Sequence, residues 1–273
     1  MKRLLLVLAA CSDALDQRLA IVDQPRILAV VATPAEAKPG EAVAYATLIA
    51  GPDGALPDDA AYMNCTSPKP PTEDNAASIA CVAGDALVPA GVLPIDACAT
   101  FGPDTVKPGF RPRDPDASGG FYQPVRVTSG DLLAIELSRV TCDLPNAPGD
   151  LAVEYVQRYV ANANPVLHPL ALPVVHAGDD VALTPSWDPP ELFVYYDQLN
   201  QVLVTRREAM RVSYFATAGA MDVDASAVGE DDPATSASTV WHAPAMPGTQ
   251  TVFLVLRDER GGVATQTIVV EVR

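Results

Sequence analysis

The sequence predicts an all-β protein made of two sandwich domains in tandem, and three observations carry that expectation. The 26 prolines and 17 glycines are scattered along the chain, which breaks up long helices and favours short strands joined by turns. Between them lie short apolar runs, several with the alternation of a half-buried strand, as at Leu132–Cys142 and Val263–Val272. The chain of 273 residues is too long for one ordinary sandwich and suits two domains of roughly 100–130 residues each. With 49% hydrophobic residues there is enough apolar material for two cores.

The chain opens Met1-Lys2-Arg3, continues as an apolar run from Leu4 to Ala10, and reaches Cys11-Ser12-Asp13. A basic start, a short apolar core and small residues before a break are the parts of a secretory leader, expected over residues 1–10. Such a run reaches only about 10 Å as a helix, against a hydrocarbon core of ~30 Å, so it cannot span a membrane. Residues 11–25, polar with a few aliphatics, are expected to be a spacer.

The first domain is expected over residues 26–161. Ile27–Ala32 is a compact apolar run, Thr33–Glu41 is rich in Pro and Gly, and Val43–Ile49 is apolar again, which spells strand, turn, strand. From Pro52 to Gly120 the chain is dense in Pro, Asp and Gly, so only short strands are expected, such as Ala60–Asn64. This region holds Cys65, Cys81 and Cys98, and Cys142 follows it. Four widely spaced cysteines in an exported chain, with no CxxC pair, read as two disulfides, and sequence leaves all three connectivities open. Regular alternation at Leu132–Cys142 puts Leu133, Ile135 and Leu137 on one face, with Glu136 and Ser138 on the other. Leu151–Val160 fits strand or helix equally.

Asn162-Ala163-Asn164-Pro165 breaks the pattern and marks a domain boundary, with the second domain at residues 165–273. His176-Ala177-Gly178-Asp179 echoes Lys38-Pro39-Gly40-Glu41, each a Gly–acid turn feeding an apolar strand. Strands are then expected at Leu192–Tyr196, Gln201–Thr205 and Arg211–Thr217. The chain closes on Thr251–Leu256, a turn at Arg257–Gly262 and Val263–Val272, a hairpin in which Arg257 and Asp258 are expected to form a stabilising charge pair.

Several of these segments resemble known families. Leu8-Ala9-Ala10-Cys11 resembles the lipobox of bacterial lipoproteins, which implies a diacylglyceryl group on Cys11, and Ser12 after it leans towards the outer membrane. The Thr33-Pro34 to Pro39-Gly40-Glu41 stretch is similar to the opening of bacterial immunoglobulin-like domains. The closing hairpin resembles that of polycystic-kidney-disease-like and other immunoglobulin-like modules, with Tyr214 standing where a core Trp is usual. Taken together the chain resembles lipoproteins of myxobacteria-like predatory and soil bacteria. The resemblance implies an envelope address and two immunoglobulin-like sandwiches, but no activity.

Charge narrows the function classes. With 18 basic and 34 acidic residues the net is −16, so nucleic acid is disfavoured as a partner and contact with an anionic bilayer needs a covalent tether. The three histidines, His168, His176 and His242, are scattered, and the sequence holds no HExxH, GxSxG or phosphate-binding Gly loop. No catalytic residue and no cofactor is therefore expected. Asp222, Asp224, Glu230, Asp231 and Asp232 crowd one stretch, and Asp114 and Asp116 another; a calcium ion takes six to eight oxygens, so these are weak calcium candidates. The function expected is a lipid-anchored envelope protein with a structural or binding role and a protein or glycan partner. The alternatives are an envelope enzyme or accessory subunit, and a periplasmic assembly component working through edge-strand pairing.

Overall fold

The computed structural model describes residues 19–69, 76–104, 115–144 and 147–273. Leader and lipobox, with Cys11, lie outside the described residues, as does Asp114. The fold is all-β, with sandwich layers in both halves.

In the first half β1 (Arg26–Thr33), β3 (Ala44–Gly51) and β4 (Gly54–Leu56) form one antiparallel sheet. Facing it is a five-stranded sheet, ordered β2 (Glu36–Ala37), β8 (Leu132–Val140), β7 (Phe121–Ser129), β5 (Ala61–Cys65) and β6 (Leu87–Pro89). The turn between β2 and β3 follows from its residues. Pro39 pre-sets one φ and Gly40 supplies the positive one, at +85°, as a type II turn requires. Glu41 N–H closes the turn on Lys38 O at 3.0 Å, and Glu41 Oε2 accepts from Lys38 N–H at 2.8 Å. The same device recurs in the second half: Gly178 sits at φ +81°, Asp179 N–H reaches His176 O at 3.1 Å, and Asp179 Oδ2 accepts from His176 N–H at 2.7 Å.

The Pro- and Gly-rich region is organised by its disulfides, and the pairing is Cys65–Cys81 and Cys98–Cys142. Cys65 ends β5 and Cys81 lies in α1 (Ile79–Ala83), a one-turn helix whose N-cap Ser78 accepts from Cys81 N–H. Cys98 lies in α2 (Ala97–Thr100), and Cys142 follows β8. Each bridge thus fixes a helix too short to be stable alone to the five-stranded sheet. The ambiguous segment near residue 151 is a helix, α3 (Gly149–Arg158).

The alternation of β8 is as expected, and Ile135 packs against the Cys65–Cys81 cluster. Leu133 and Leu137 point outward, 45% and 38% exposed, while Ser138 is buried and Ala134 packs under the β1–β3 sheet. The polar face can turn inward here because its groups have partners: Ser138 Oγ meets Tyr45 OH at 3.0 Å, and Glu136 faces the Arg257 charge.

In the second half, β14 (Ala225–Val228), β12 (Met210–Ala216), β16 (Gly248–Asp258) and β17 (Val263–Val272) form one sheet, in that order. It faces a sheet of β13 (Ala220–Met221), β15 (Thr239–His242) and β9 (Asp180–Leu183). The order β17-β16-β12-β14 facing β9-β15 matches the G-F-C-C′ and B-E neighbours of an immunoglobulin-like sandwich, while β13, which falls between β12 and β14 in the chain, crosses over to pair with β15. The core between them holds Trp187, Trp241 and Tyr214, all essentially inaccessible. An extra hairpin, β10 (Leu192–Asp197) and β11 (Val202–Arg207), is inserted before β12.

The two sandwiches are packed against each other, and this explains two sequence features at once. Val252, Leu254 and Leu256 of β16 enter the second core, while Phe253 and Val255 join Val22, Leu28, Ala29, Ala50 and Val263 between the halves. Both faces of β16 are buried, hence its unbroken apolar run. β1 is buried on both faces as well: Val30 packs with Val125 and Val127 inside the first sandwich, and Leu28 and Ala29 pack against the second. A bulge between Ile27 and Ala29 re-aims the strand, and the Leu28 carbonyl there accepts from Arg257 Nη2 at 2.8 Å. Arg257 is therefore committed to the first half and is not the partner of Asp258. Residues 20–22, read as spacer, belong to the folded body: Val22 N–H bonds Ala216 O, Ala216 N–H bonds Ala20 O, and Val22 is fully buried.

Candidate functional site

Among the described residues, the densest gathering of ionisable side chains is the joint where the halves meet. Glu36, on β2, is enclosed there. Its Oε2 accepts from Arg139 Nε at 3.2 Å and from Asn162 N–H at 2.8 Å. Its Oε1 accepts from Thr141 Oγ1 at 2.9 Å and from Tyr159 OH in a short contact. Arg139 also donates through Nη1 to Ser118 Oγ at 2.7 Å and Tyr122 OH at 3.1 Å. Asp116 closes this half of the network, accepting from Gly120 N–H at 2.8 Å, Ser118 Oγ at 2.7 Å and Tyr122 OH at 2.8 Å. A side chain at residue 120 would push the Arg139 guanidinium out of this position.

The other half centres on Arg260, which has no exposed surface. Its Nε donates to Glu208 Oε1 and its Nη2 to Glu191 Oε2, both at 2.6 Å, while Nη1 donates to Val160 O at 2.9 Å. The guanidinium also lies 4.8 Å from the centroid of Phe193. Asp258 Oδ1 accepts from Arg260 N–H at 2.9 Å and Gly262 N–H at 2.7 Å, forming the turn before β17. Burial pushes the Glu208 carboxyl up to about 7; the nearby Asp258 charge adds to this and Arg260 opposes it. Burial also raises Asp258, against its hydrogen bonds from Gly262, Asn162 and Arg260. At the edge of the joint Glu136 is pushed up to about 7 by burial, with Arg257 opposing.

The segment read as a break between domains holds these two centres together. Asn162 donates its backbone N–H to Glu36 of the first half, and its side-chain amide reaches Asp258 of the second at 3.3 Å. Asn164 donates Nδ2 to Ala32 O at 2.7 Å and accepts from Val263 N–H at 2.8 Å. Each asparagine thus bonds both halves. Within the joint Asn162 Oδ1 is buried without a partner among the described residues. The β10–β11 hairpin adds a clasp: Arg206 Nη1 donates to Ala117 O at 2.9 Å, and the Tyr195 ring packs beside Gly119. Chemically the joint is suited to fixing geometry. Glu36, Arg139, Glu208 and Arg260 are all at most 3% exposed and engaged by protein groups, so they offer little to a substrate in solution.

The expected calcium ligands do not converge. Asp222 Oδ1 contacts His242 Nε2 at 2.7 Å, and Glu230 Oε2 accepts from Arg206 Nε at 2.6 Å. Asp224 contributes a backbone carbonyl to Tyr214, and Asp232 accepts from Ala234 N–H. Asp231 makes no hydrogen bond or ion pair within the described residues. Among those residues no group of three or more His, Cys, Asp or Glu is placed to hold a metal. His168 and His176 are exposed, His242 is half-buried, and all three meet aspartates. His242 is bracketed by Asp180 at 2.6 Å and Asp222 at 2.7 Å, and these hydrogen bonds, Asp222 foremost, raise its pKa above the usual value.

Sequence reasoning missed the joint. Its one available signal is a charge at a position flanked by strand residues, as with Arg139 between Ser138 and Val140, or Glu36 between two alanines.

No protein-family model matches the chain, and no curated protein matches it. Among solved structures it is similar to Escherichia coli alpha-2-macroglobulin activated by porcine elastase, at 12% identity and a TM-score of 0.25. That match covers 92% of this chain and 22% of the other, so the chain spans under a quarter of that protein's length. It is also similar to the human OSCAR ligand-binding domain, at 14% identity and a TM-score of 0.23, covering 92% of this chain and all of that one. Superpositions this loose carry no argument. The protein class rests on its own strand order: a pair of fused β-sandwiches, the second immunoglobulin-like in the order of its larger sheet.

Proposed function

We propose that this protein is a lipid-anchored, non-catalytic component of the bacterial cell envelope that presents surfaces for binding. The observation that carries the reading is the joint. Two sandwiches locked by an apolar interface and a buried ionic network behave as one rigid body, which suits a presenting scaffold. The two disulfides support export to an oxidising compartment. The Leu8-Ala9-Ala10-Cys11 motif supports the tether, on the outer membrane by the Ser12 pattern. Only eight residues separate Cys11 from Ala20, where the folded body begins. Even fully extended such a chain reaches about 30 Å, so the lipid would hold the body close to the bilayer. The anchor would leave beside Ala216, the C-terminal end of β12, which puts the Met210–Asp258 end and the joint on the far side.

The test is to express the full gene in a lipoprotein-competent host and compare wild type with Cys11→Ala. Wild type is expected in the membrane fraction and the detergent phase, and the variant in the soluble fraction. Equal partitioning would defeat the tether.

A further inference from the structure

The β10–β11 hairpin is a two-stranded sheet set apart from both sandwiches, and its two strands differ in burial. β10 is the inner strand, with Phe193, Val194 and Tyr196 buried. β11 is the outer strand, with Val202 and Val204 44% and 36% exposed on the face of the hairpin that also carries Arg206. Among the described residues β11 pairs with β10 alone, so its second edge carries unpaired backbone donors and acceptors. An open groove of about 480 Å³ lies at the Val204–Arg207 end of this strand, lined also by Leu192 of β10 and by Glu230 and Asp231. Natural edge strands are usually covered, charged or bulged; this one keeps two exposed valines, Val204 of which lines the groove.

We propose that the groove receives an extended, basic segment of a partner protein, which adds to β11 as a third antiparallel or parallel strand. This names a surface for the binding role proposed above and does not depend on the lipid. Three features select that occupant. A strand lies only about 4.8 Å from its neighbour, so backbone pairing suits a narrow groove along a strand edge. Arg206 is paired with Glu230 and bonds Ala117 O, while Arg207 reaches only the Glu230 carbonyl, at 3.4 Å. Asp231 makes no ion pair within the described residues and is open to a cation, and the net charge of −16 favours a basic partner over a second copy of this chain. The segment would thus set apolar side chains beside Val202 and Val204 and a lysine or arginine within reach of Asp231.

The probe is a synthetic peptide of about eight residues that alternates valine and lysine, with a valine–glutamate peptide and a copy N-methylated on alternate amides as controls. Each is titrated calorimetrically into the full-length protein in detergent, and backbone hydrogen exchange is followed over residues 202–207. The valine–lysine peptide is expected to bind and to slow exchange in β11. The glutamate and N-methylated peptides are expected to bind at least ~10-fold more weakly, and Asp231→Lys to weaken the first peptide about 10-fold. Equal binding of all three peptides, binding without protection of residues 202–207, or no binding would overturn the proposal. Concentration-dependent self-association that protects the same amides without peptide would assign the edge to a second copy and overturn it too. None of these results bears on the tether, which membrane fractionation of Cys11→Ala reads separately.

Discussion

Arg260→Met tests the joint most directly. The substitution keeps an unbranched chain of similar length over Phe193 but removes the one cation that contacts Glu208 and Glu191. Three hydrogen bonds are lost, two of them ion pairs at 2.6 Å, from a side chain with no exposed surface. Removing one partner of a buried pair costs about 3–5 kcal/mol, because the remaining charge is left without compensation. The cost must depend on pH. Glu208 already has its carboxyl near 7 with Arg260 present, and without the guanidinium it holds its proton to still higher pH. Near pH 8 the variant must bury an unpaired carboxylate or bind a proton, and the full ~3–5 kcal/mol is expected. Near pH 5 Glu208 is neutral in both proteins, and the deficit is expected to shrink to about 1–2 kcal/mol, the worth of the lost hydrogen bonds. Equilibrium urea denaturation at both pH values measures this, with Glu208→Gln completing a double-mutant cycle. A loss under 1 kcal/mol at pH 8, or the same loss at both pH values, would refute the account of the joint as a buried ionic lock.

Other consequences follow from the same structure. In the wild type, Glu208 is raised from 4.5 to about 7, so the folded state binds more protons than the unfolded chain between those values. Stability should therefore fall as pH rises from about 5 to 7, by up to ~3 kcal/mol for this nearly inaccessible group, and Glu208→Gln should reduce the slope of melting temperature against pH, leaving the part due to Glu136. Removing the Cys98–Cys142 bridge, with its separation of 44, should cost about 4 kcal/mol in a chain-entropy account, against about 3 for Cys65–Cys81 with 16. Paired Cys→Ala variants compared by denaturation check the order, and the reverse ranking would count against it. His242 should titrate above its usual value by NMR, and Asp222→Asn should bring it down. Because the folded pKa is raised, any stability from this contact is complete below about 6.5 and is lost as pH rises through the folded value.

The fold was readable where one signal sufficed. The Pro–Gly–acid turn at Lys38–Glu41 and its echo at His176–Asp179 were visible as residues because turn chemistry is local, and the two close with the same side-chain bond. The strands at β10, β11, β12, β16 and β17 were visible for the same reason. What sequence could not supply was the identity of the far side. The unbroken run Thr251–Leu256 announces a strand, but only the assembled molecule shows that Phe253 and Val255 meet the other sandwich. On β8 the alternation was visible but not which face is inward, because the partner of the buried Ser138, Tyr45, lies 93 residues away. Cysteine pairing and the fate of each carboxylate are similarly non-local. Glu230, read as a calcium candidate, is bound by Arg206, 24 residues away on β11.

The Asn162–Asn164 segment shows why a composition break need not be a hinge. A flexible linker needs backbone and side chains free to meet water, yet Asn162 is 3% exposed and each asparagine bonds both sandwiches. A relative rotation of the halves would have to break four such hydrogen bonds. It would also expose Phe253 and Val255, each worth about 1.5–3 kcal/mol of burial. It would further separate Asn162 from two carboxylates that are costly to leave without partners. These penalties act together, so the small rotations that ordinary tandem sandwiches permit are closed to this pair. The two halves therefore present the α3 and β10–β11 surfaces in one fixed orientation. An edge strand held in that way meets a partner without first losing the entropy of domain motion.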